Sequence, residues 1–212
     1  AGTLLFVLAE AILGAGLVLF ELVGTNDSVA RAVVIGFHLL NTFGLLGFGV
    51  LTLWSAGGRS WQPPGLRWKR WVPTLTLGLL MVGMSGARTA LGDTLFPVDT
   101  SVALMDRLQA DLSPTEHFLV RLRYIHPLVS IIVAFGLAAM ALSPPLSSQK
   151  GSFTANLLLT LVVTQITLGW LNVELGAPGW MQLVHLLFAD LLWACFVWFS
   201  LETLGDDKQE SA

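Results

Sequence analysis

Four histidines are the residues of this sequence best suited to chemistry. His38, His126 and His185 each lie inside a long apolar stretch. An ionisable side chain is costly inside a membrane, so it usually marks a function there. Neutral imidazole is a strong ligand of heme iron, and a heme held between two helices takes one histidine from each, at equal depth. These positions therefore predict a site for heme iron.

His126 and His185 are the best such pair. His117 precedes His126 by nine residues, and at about 100° per residue it points to the opposite side of a helix, so the two cannot share one iron. We expect His117 to be an interfacial hydrogen-bonding residue. His38 has no obvious partner in the chain: it either pairs with a helix that lies upstream or bonds a neighbouring carbonyl group.

Three arginines are candidates for binding the propionates of a heme. Arg88, Arg121 and Arg123 lie near the same ends of the apolar stretches as the histidines, and guanidinium binds carboxylate in a bidentate fashion. For any single arginine, the alternative is that a long side chain snorkels to the membrane surface. Taken together with the histidine pair, the pattern predicts that at least one of them binds a propionate.

The composition is that of an integral membrane protein. Only 12% of the residues are charged and 54% are hydrophobic, whereas a soluble domain has about 25% charged residues. A spanning helix needs about 20 mostly apolar residues. Stretches that qualify predict an all-α protein with six transmembrane helices, at residues 3–23, 29–54, 71–91, 118–142, 153–173 and 180–201. The net charge of −3, without a run of like charge, gives no indication of a nucleic-acid partner.

The gaps between these stretches divide the chain into four parts. Residues 1–56 hold the first helix pair, residues 57–71 form a loop, residues 72–203 form a four-helix heme-binding bundle, and residues 204–212 form a polar tail. Residues 92–116 form the longest gap, and their amphipathic part, residues 102–112, is expected to lie along the membrane surface.

Basic residues in short loops indicate which side of the membrane each loop occupies. Lysine and arginine concentrate in cytoplasmic loops, and here they are Arg59, Arg67, Lys69, Arg70, Lys150 and Lys208. We therefore expect these residues and both termini on the cytoplasmic side of a bacterial inner membrane. The histidines then lie towards its outer face.

A repeat relates the first helix pair to the last. Residues 10–14 (Glu-Ala-Ile-Leu-Gly) precede His38-Leu-Leu, and residues 165–169 (Gln-Ile-Thr-Leu-Gly) precede His185-Leu-Leu. Two helix pairs of one kind flank a different central pair, as in one and a half copies of a four-helix unit. Since the sequence begins with Ala1 rather than Met, we expect half a unit upstream.

Three motifs resemble the heme A synthase family, membrane enzymes that oxidise the C8 methyl group of heme O to the formyl group of heme A. The motifs are Gln165-Ile-Thr-Leu-Gly-Trp-Leu-Asn-Val with His185-Leu-Leu, Ala87-Arg-Thr-Ala-Leu-Gly-Asp-Thr-Leu-Phe-Pro97, and His117-Phe-Leu-Val-Arg-Leu-Arg-Tyr-Ile-His126-Pro. The resemblance covers nearly the whole chain, aligned to the third to eighth helices of the eight-helix family. It implies that His126 and His185 bind the b-type heme of the C-terminal half, and that His38 is a ligand on the N-terminal, substrate side.

The family's second helix, with its Glu-x-x-His-Arg-like motif, has no match in this sequence. Either the first two helices precede this sequence in the natural protein, or the chain is a shortened relative that keeps a heme without the synthase reaction. The first interpretation implies an oxidoreductase with heme b as cofactor and heme O and heme A as substrate and product. The second implies a non-catalytic heme b-binding accessory subunit of a membrane redox complex. Expected partners are membrane lipid, heme, and either other redox subunits or a second copy of the chain.

Overall fold

The structure, a computed structural model, describes residues 2–59, 68–143 and 149–206, and within those ranges the regular structure is entirely helical. The helices are α1 (Gly2–Leu19), α2 (Val29–Ala56), α3 (Trp68–Leu95), α4 (Leu104–Asp111), α5 (Phe118–Arg121), α6 (Ile125–Ala141), α7 (Gln149–Glu174) and α8 (Gly179–Asp206).

The six predicted transmembrane segments are confirmed in number. Within the described residues, six helical segments are long and apolar enough to cross a membrane: Gly2–Leu19, Val29–Ala56, Arg70–Leu95, Phe118–Ala141, Phe153–Glu174 and Gly179–Glu202. The chain is therefore an all-α integral membrane protein. Large apolar side chains exposed along α1, such as Leu5 and Ile12, are in keeping with contact to lipid, because a bilayer does not penalise an apolar helix surface.

The fourth predicted segment, residues 118–142, is not one continuous helix. α5 ends at Arg121, and α6 begins at Ile125. Between them the backbone makes a tight turn, in which the N–H of Arg123 donates to Val120 and the N–H of Ile125 donates to Leu122, both at 3.1 Å. Pro127 adds to the break, because it has no N–H to donate to the carbonyl of Arg123.

The first helix is shorter than predicted, since it ends at Leu19 and not at residue 23. Glu21 adopts a left-handed backbone conformation with φ of 53°. The N–H of Leu22 donates to the carbonyl of Leu17 at 2.8 Å, which satisfies one of the acceptors that a helix end leaves open. The chain then turns towards α2.

Four helices form a closed ring in the order α3, α6, α7 and α8, because α3 packs on α6, α6 on α7, α7 on α8, and α8 on α3. α2 lies outside this ring against α3 and α8, and α1 packs on α2. The ring interior is filled by side chains that are almost completely buried, among them Leu137, Leu158, Phe196 and Phe199. α6 and α8 therefore face each other across the ring, as do α3 and α7.

A polar contact joins α2 to the ring. Trp193 of α8 stacks on Phe43 of α2 with ring centroids 5.4 Å apart, and its indole N–H donates to the carbonyl of Phe43 at 2.7 Å. Gly83 of α3 lies against the same phenylalanine, where a Cβ would come within 2.7 Å of the ring. Close approach at small residues drives helix association in membranes, where the hydrophobic effect between helices is absent.

Part of the predicted cytoplasmic side falls outside the described residues. This applies to Arg67 and Lys208, and to the side chains of Lys69 and Lys150. Arg59 is described, and its guanidinium lies over the rings of Trp54 and Trp198, at 4.6 and 5.2 Å from the ring centroids. This cation–π contact holds the chain after α2 against the end of α8.

Candidate functional site

The imidazole rings of His126 and His185 face each other inside the four-helix ring. Their centroids are 6.3 Å apart and their planes are nearly perpendicular, at 88°. Imidazole nitrogen binds a metal at about 2.0–2.1 Å, so a single metal between two rings places their centroids roughly 6 Å apart. The distance between the two ring centroids therefore matches that of two ligands of one metal.

His126 has one ring nitrogen held by α3. Its Nδ1 lies 3.2 Å from the carbonyl oxygen of Val82 and 3.2 Å from the hydroxyl oxygen of Ser85. The Ser85 hydroxyl donates its own proton to the carbonyl of Val82 at 2.9 Å, so towards Nδ1 both oxygens act as acceptors. A metal-binding histidine almost always has its other nitrogen held in this way. Nε2 of His126 is then the nitrogen with a free lone pair.

His185 is held by Gln165 of α7. The amide nitrogen of Gln165 donates to the backbone carbonyl of His185 at 3.1 Å and lies 3.1 Å from its Nε2. Nδ1 of His185 and Oε1 of Gln165 are both buried without a hydrogen-bond partner. A buried polar atom without a partner costs about 1–3 kcal/mol. These atoms therefore mark a place where the protein alone leaves polar groups unsatisfied, as a cofactor site would.

His38 lies outside the ring, on the face of α2 that packs against α1. Its Nε2 is 3.5 Å from a carboxylate oxygen of Glu10, and its Nδ1 is buried without a partner. Glu10 also accepts hydrogen bonds from the amide of Asn41 and the hydroxyl of Thr42. The structure thus does not bring His38 to the His126–His185 pair, and it gives His38 a carboxylate neighbour rather than a carbonyl.

The two copies of the repeat seen in the sequence make corresponding contacts. Glu10 contacts Nε2 of His38, and Gln165 contacts Nε2 of His185. One helical turn further along, a glycine lies beneath each ring: a Cβ at Gly14 would be 4.0 Å from Cε1 of His38, and a Cβ at Gly169 would be 3.1 Å from Cε1 of His185. His38 is therefore built into the fold in the same way as His185.

His117 lies apart from the paired rings. It caps α5 by accepting a hydrogen bond from the N–H of Leu119 at 3.3 Å, and its Nε2 is 3.5 Å from Asp27. The ring stacks on Phe96 and contacts Phe118. These contacts show the hydrogen-bonding role that was expected of His117. The prediction that His117 and His126 lie on one continuous helix was wrong, because the turn at residues 122–124 separates them.

The three candidate arginines have different surroundings. Arg123 is paired with Asp93 at 2.8 Å and with Asp111 at 3.3 Å, and it also donates to the carbonyls of Gly92 and Phe96. Arg88 lies inside the third segment with its guanidinium against Gly36 of α2, and neither a hydrogen bond nor an ion pair is found for it among the described residues. Arg121 is exposed.

Sequence reasoning did not identify Ser85 and Val82 as part of the site. A serine in a membrane helix is common, and the contact of Val82 comes from its backbone, which has no signature in a sequence. In the part of the chain that the structure describes, no group of three or more His, Cys, Asp or Glu side chains is arranged to hold a bare metal ion.

Comparison with known proteins gives a family and two relatives. The cytochrome oxidase assembly protein family, COX15-CtaA, matches residues 1–197. Two proteins named protoheme IX farnesyltransferase, from two strains of Thermus thermophilus, are each 43% identical to the chain over 211 residues. The match covers 95% of this chain and 33% of each relative, so the chain spans about a third of the length of these curated relatives. No solved structure gives a significant match.

Proposed function

The chain belongs to the COX15-CtaA family of cytochrome oxidase assembly proteins, the heme A synthase family, and on this basis we propose that it is a heme A synthase-like oxidoreductase. In this proposal the protein takes part in oxidising the methyl group of heme O to the formyl group of heme A. His126 and His185 hold a b-type heme in the four-helix ring. The observation that supports this most is the 6.3 Å separation of the two rings.

The residues around the pair fit a heme. Val82 and Ser85 keep the proton of His126 on Nδ1 and leave its Nε2 without a partner. On the other side of the pair, Nδ1 of His185 and Oε1 of Gln165 are buried without a hydrogen-bond partner. When bound, the heme iron supplies one-electron chemistry. The apolar core below the pair, with Phe196 and Phe199 fully buried, keeps water away from the ligands.

Arg88 is the best candidate for binding a propionate. An arginine within a membrane segment is expensive unless a counter-charge accompanies it, and Arg88 has none among the described residues. Arg121 is the second candidate, since it is exposed at the end of α5, just before the turn that leads to His126. Arg123 already has two carboxylate partners, so its contribution to a propionate is the smallest of the three.

His38 belongs to the substrate side in this proposal. Like His185, it has a polar side chain of the preceding helix beside its Nε2. The carboxylate of Glu10 keeps the ring in place, and its buried Nδ1 has no hydrogen-bond partner. The relatives from Thermus thermophilus are named for the transfer of a farnesyl group to protoheme IX. Heme O is a farnesylated heme, so a heme O-oxidising protein would act on the product of such a transfer.

We further propose that the protein lies in a bacterial inner membrane with the histidine end facing outward. The partners would be membrane lipid, heme, and either other redox subunits or a second copy. Arg59, described at the opposite end from the histidines, carries the basic charge expected of the cytoplasmic side.

The function is tested in membranes of a host that makes heme O but no heme A. The chain is produced there, hemes are extracted, and the heme A formed is measured by chromatography. We expect heme A with the unchanged chain, a loss of at least tenfold with His38→Ala, and little change with His117→Ala. A chain that binds heme b but forms no heme A would contradict the oxidising role and leave only the heme site of the proposal in place. A chain that binds no heme at all would refute the proposal.

A further inference from the structure

Each ring of the histidine pair lies on a glycine of a neighbouring helix. A Cβ added at Gly86 of α3 would lie 2.9 Å from Cε1 and 3.3 Å from Nδ1 of His126. A Cβ added at Gly169 of α7 would lie 3.1 Å from Cε1 of His185. Contacts under 3.0 Å are sterically forbidden, so at Gly86 the ring would have to move.

Glycine inside a helix is destabilising by roughly 0.5–1 kcal/mol relative to alanine. Other glycines in the spans offset this by helix packing alone: Gly83 contacts Phe43, and Gly78 contacts Val133. Gly86 and Gly169 differ from these, because the atoms nearest to them are the imidazole rings of the pair. Their absent side chains make room for those rings.

The two glycines lie on the two helices of the ring that do not carry the paired histidines. Around the ring of helices, α6 and α8 carry the histidines and face each other, and α3 and α7 form the other diagonal. The side chains one turn before or next to each glycine, Ser85 and Gln165, hold the ring nitrogens. Each histidine ring is therefore fixed from the helix beside it by a hydrogen-bonding group and a glycine.

We propose that Gly86 and Gly169 are positioning residues that set the planes of His126 and His185 at a right angle to each other. This inference rests on the proposed heme site. It predicts that a heme held by the pair would have nearly perpendicular imidazole planes, because the two rings lie at 88° to each other. Low-spin ferric hemes with perpendicular ligand planes give an electron paramagnetic resonance spectrum of large g anisotropy, whereas parallel planes give a rhombic spectrum.

The test compares alanine variants of the purified, heme-loaded chain by electron paramagnetic resonance. We expect the unchanged chain to give the highly anisotropic low-spin signal. Gly86→Ala should convert it to a rhombic or high-spin signal, and Gly169→Ala, with its longer contact, should do so in part. Gly49→Ala is the neutral control, because nothing lies within 4 Å of a Cβ there.

Gly83→Ala is the control for steric strain alone, because it introduces a clash of similar size that involves neither His126 nor His185. It is on the same helix, with a Cβ 2.7 Å from Phe43, so it should lower the thermal stability and leave the signal of the folded protein unchanged. If Gly86→Ala left the signal unchanged, or if Gly83→Ala changed it equally, the positioning role would be wrong although the heme site stood. If the unchanged chain bound no heme, the proposed function itself would fail.

Discussion

Hydrogen bonding at His126 decides which of its nitrogens can bind a metal. The carbonyl of Val82 and the hydroxyl of Ser85 both lie 3.2 Å from Nδ1, and both can accept its proton. With the proton on Nδ1, the lone pair is on Nε2. Loss of a group that hydrogen-bonds a metal-binding histidine typically lowers metal affinity by about 10–100-fold.

Ser85→Ala should therefore weaken heme binding. Because the Val82 carbonyl remains as an acceptor, the loss should be near the lower limit, about tenfold. The measurement is a titration of the heme-free protein with heme, followed by absorbance. Thr94→Ala is the matched control on the same helix, since the Thr94 hydroxyl donates to the carbonyl of Ala90 in its own helix; an equal loss from that variant would show that Ser85 has no special role.

Arg123 and Arg121 differ in how much the heme-free fold depends on them. The side chains of Arg123, Asp93 and Asp111 are 11%, 13% and 19% exposed, so Arg123→Leu would leave two carboxylates without their partner. Breaking a buried pair in this way costs about 3–5 kcal/mol.

We expect a large fall in the thermal unfolding temperature of detergent-solubilised Arg123→Leu. Arg121 is exposed, so Arg121→Leu should change stability by no more than about 0.5 kcal/mol. Similar unfolding temperatures for the two variants would contradict the structural role assigned to Arg123.

The histidines of the site could be found from the sequence, because ionisable residues are rare in apolar segments and stand out. The partners of the arginines could not. Arg123 binds Asp93 and Asp111, which lie 30 and 12 residues away in the chain, and the Val82 contact is made by a backbone atom that every residue has. Burial and tertiary contact, rather than residue type, separate Arg123 from Arg88.

Hydropathy determined the number of spanning segments but not where each helix breaks. Residues 118–142 have a high average hydropathy despite Arg121, Arg123 and His126, so averaging over a sequence window cannot detect the turn at residues 122–124. The turn depends on Arg123, whose side chain reaches back to Asp93 and to the carbonyl of Gly92 at the end of α3. His126 is placed on a separate helix as a result, which frees its orientation from that of His117.

The junction of α2 with the ring depends on Trp193. This residue is 6% exposed, and it both stacks on Phe43 and donates to its carbonyl. Trp193→Ala should destabilise the protein by about 3–5 kcal/mol, as is typical of a large buried aromatic residue. Trp170→Ala is the control, because Trp170 is 59% exposed. Thermal unfolding in detergent distinguishes the two, and equal effects would mean that the junction does not hold α2.

At the scale of the whole molecule, the sequence predicted six segments and a repeat, but not the order of the helices around the ring. Apolar helix surfaces carry little information about their neighbours, since lipid and a second helix are similar surroundings. The repeat was a better guide. It related His38 to His185, and in the structure each of the two has a glycine and a polar side chain of the preceding helix beside its ring.

The proposed orientation can be tested by cysteine labelling. The native Cys195 is buried, so it should give little background with a membrane-impermeant maleimide. We expect Ser101→Cys, in the exposed segment after α3, to react in intact cells. Arg59→Cys, at the other end of the bundle, should react only after the membrane is permeabilised. The reverse pattern would show that the histidine end faces the cytoplasm.

The absorption spectrum of the heme-loaded chain tests the central claim, that His126 and His185 hold one heme iron, most directly. We expect the unchanged protein to show a low-spin spectrum with two imidazole ligands. His126→Ala and His185→Ala should each abolish it, and His117→Ala should retain it, since His117 caps α5 away from the pair. Retention of the low-spin spectrum in His185→Ala, or its equal loss in His117→Ala, would contradict the account.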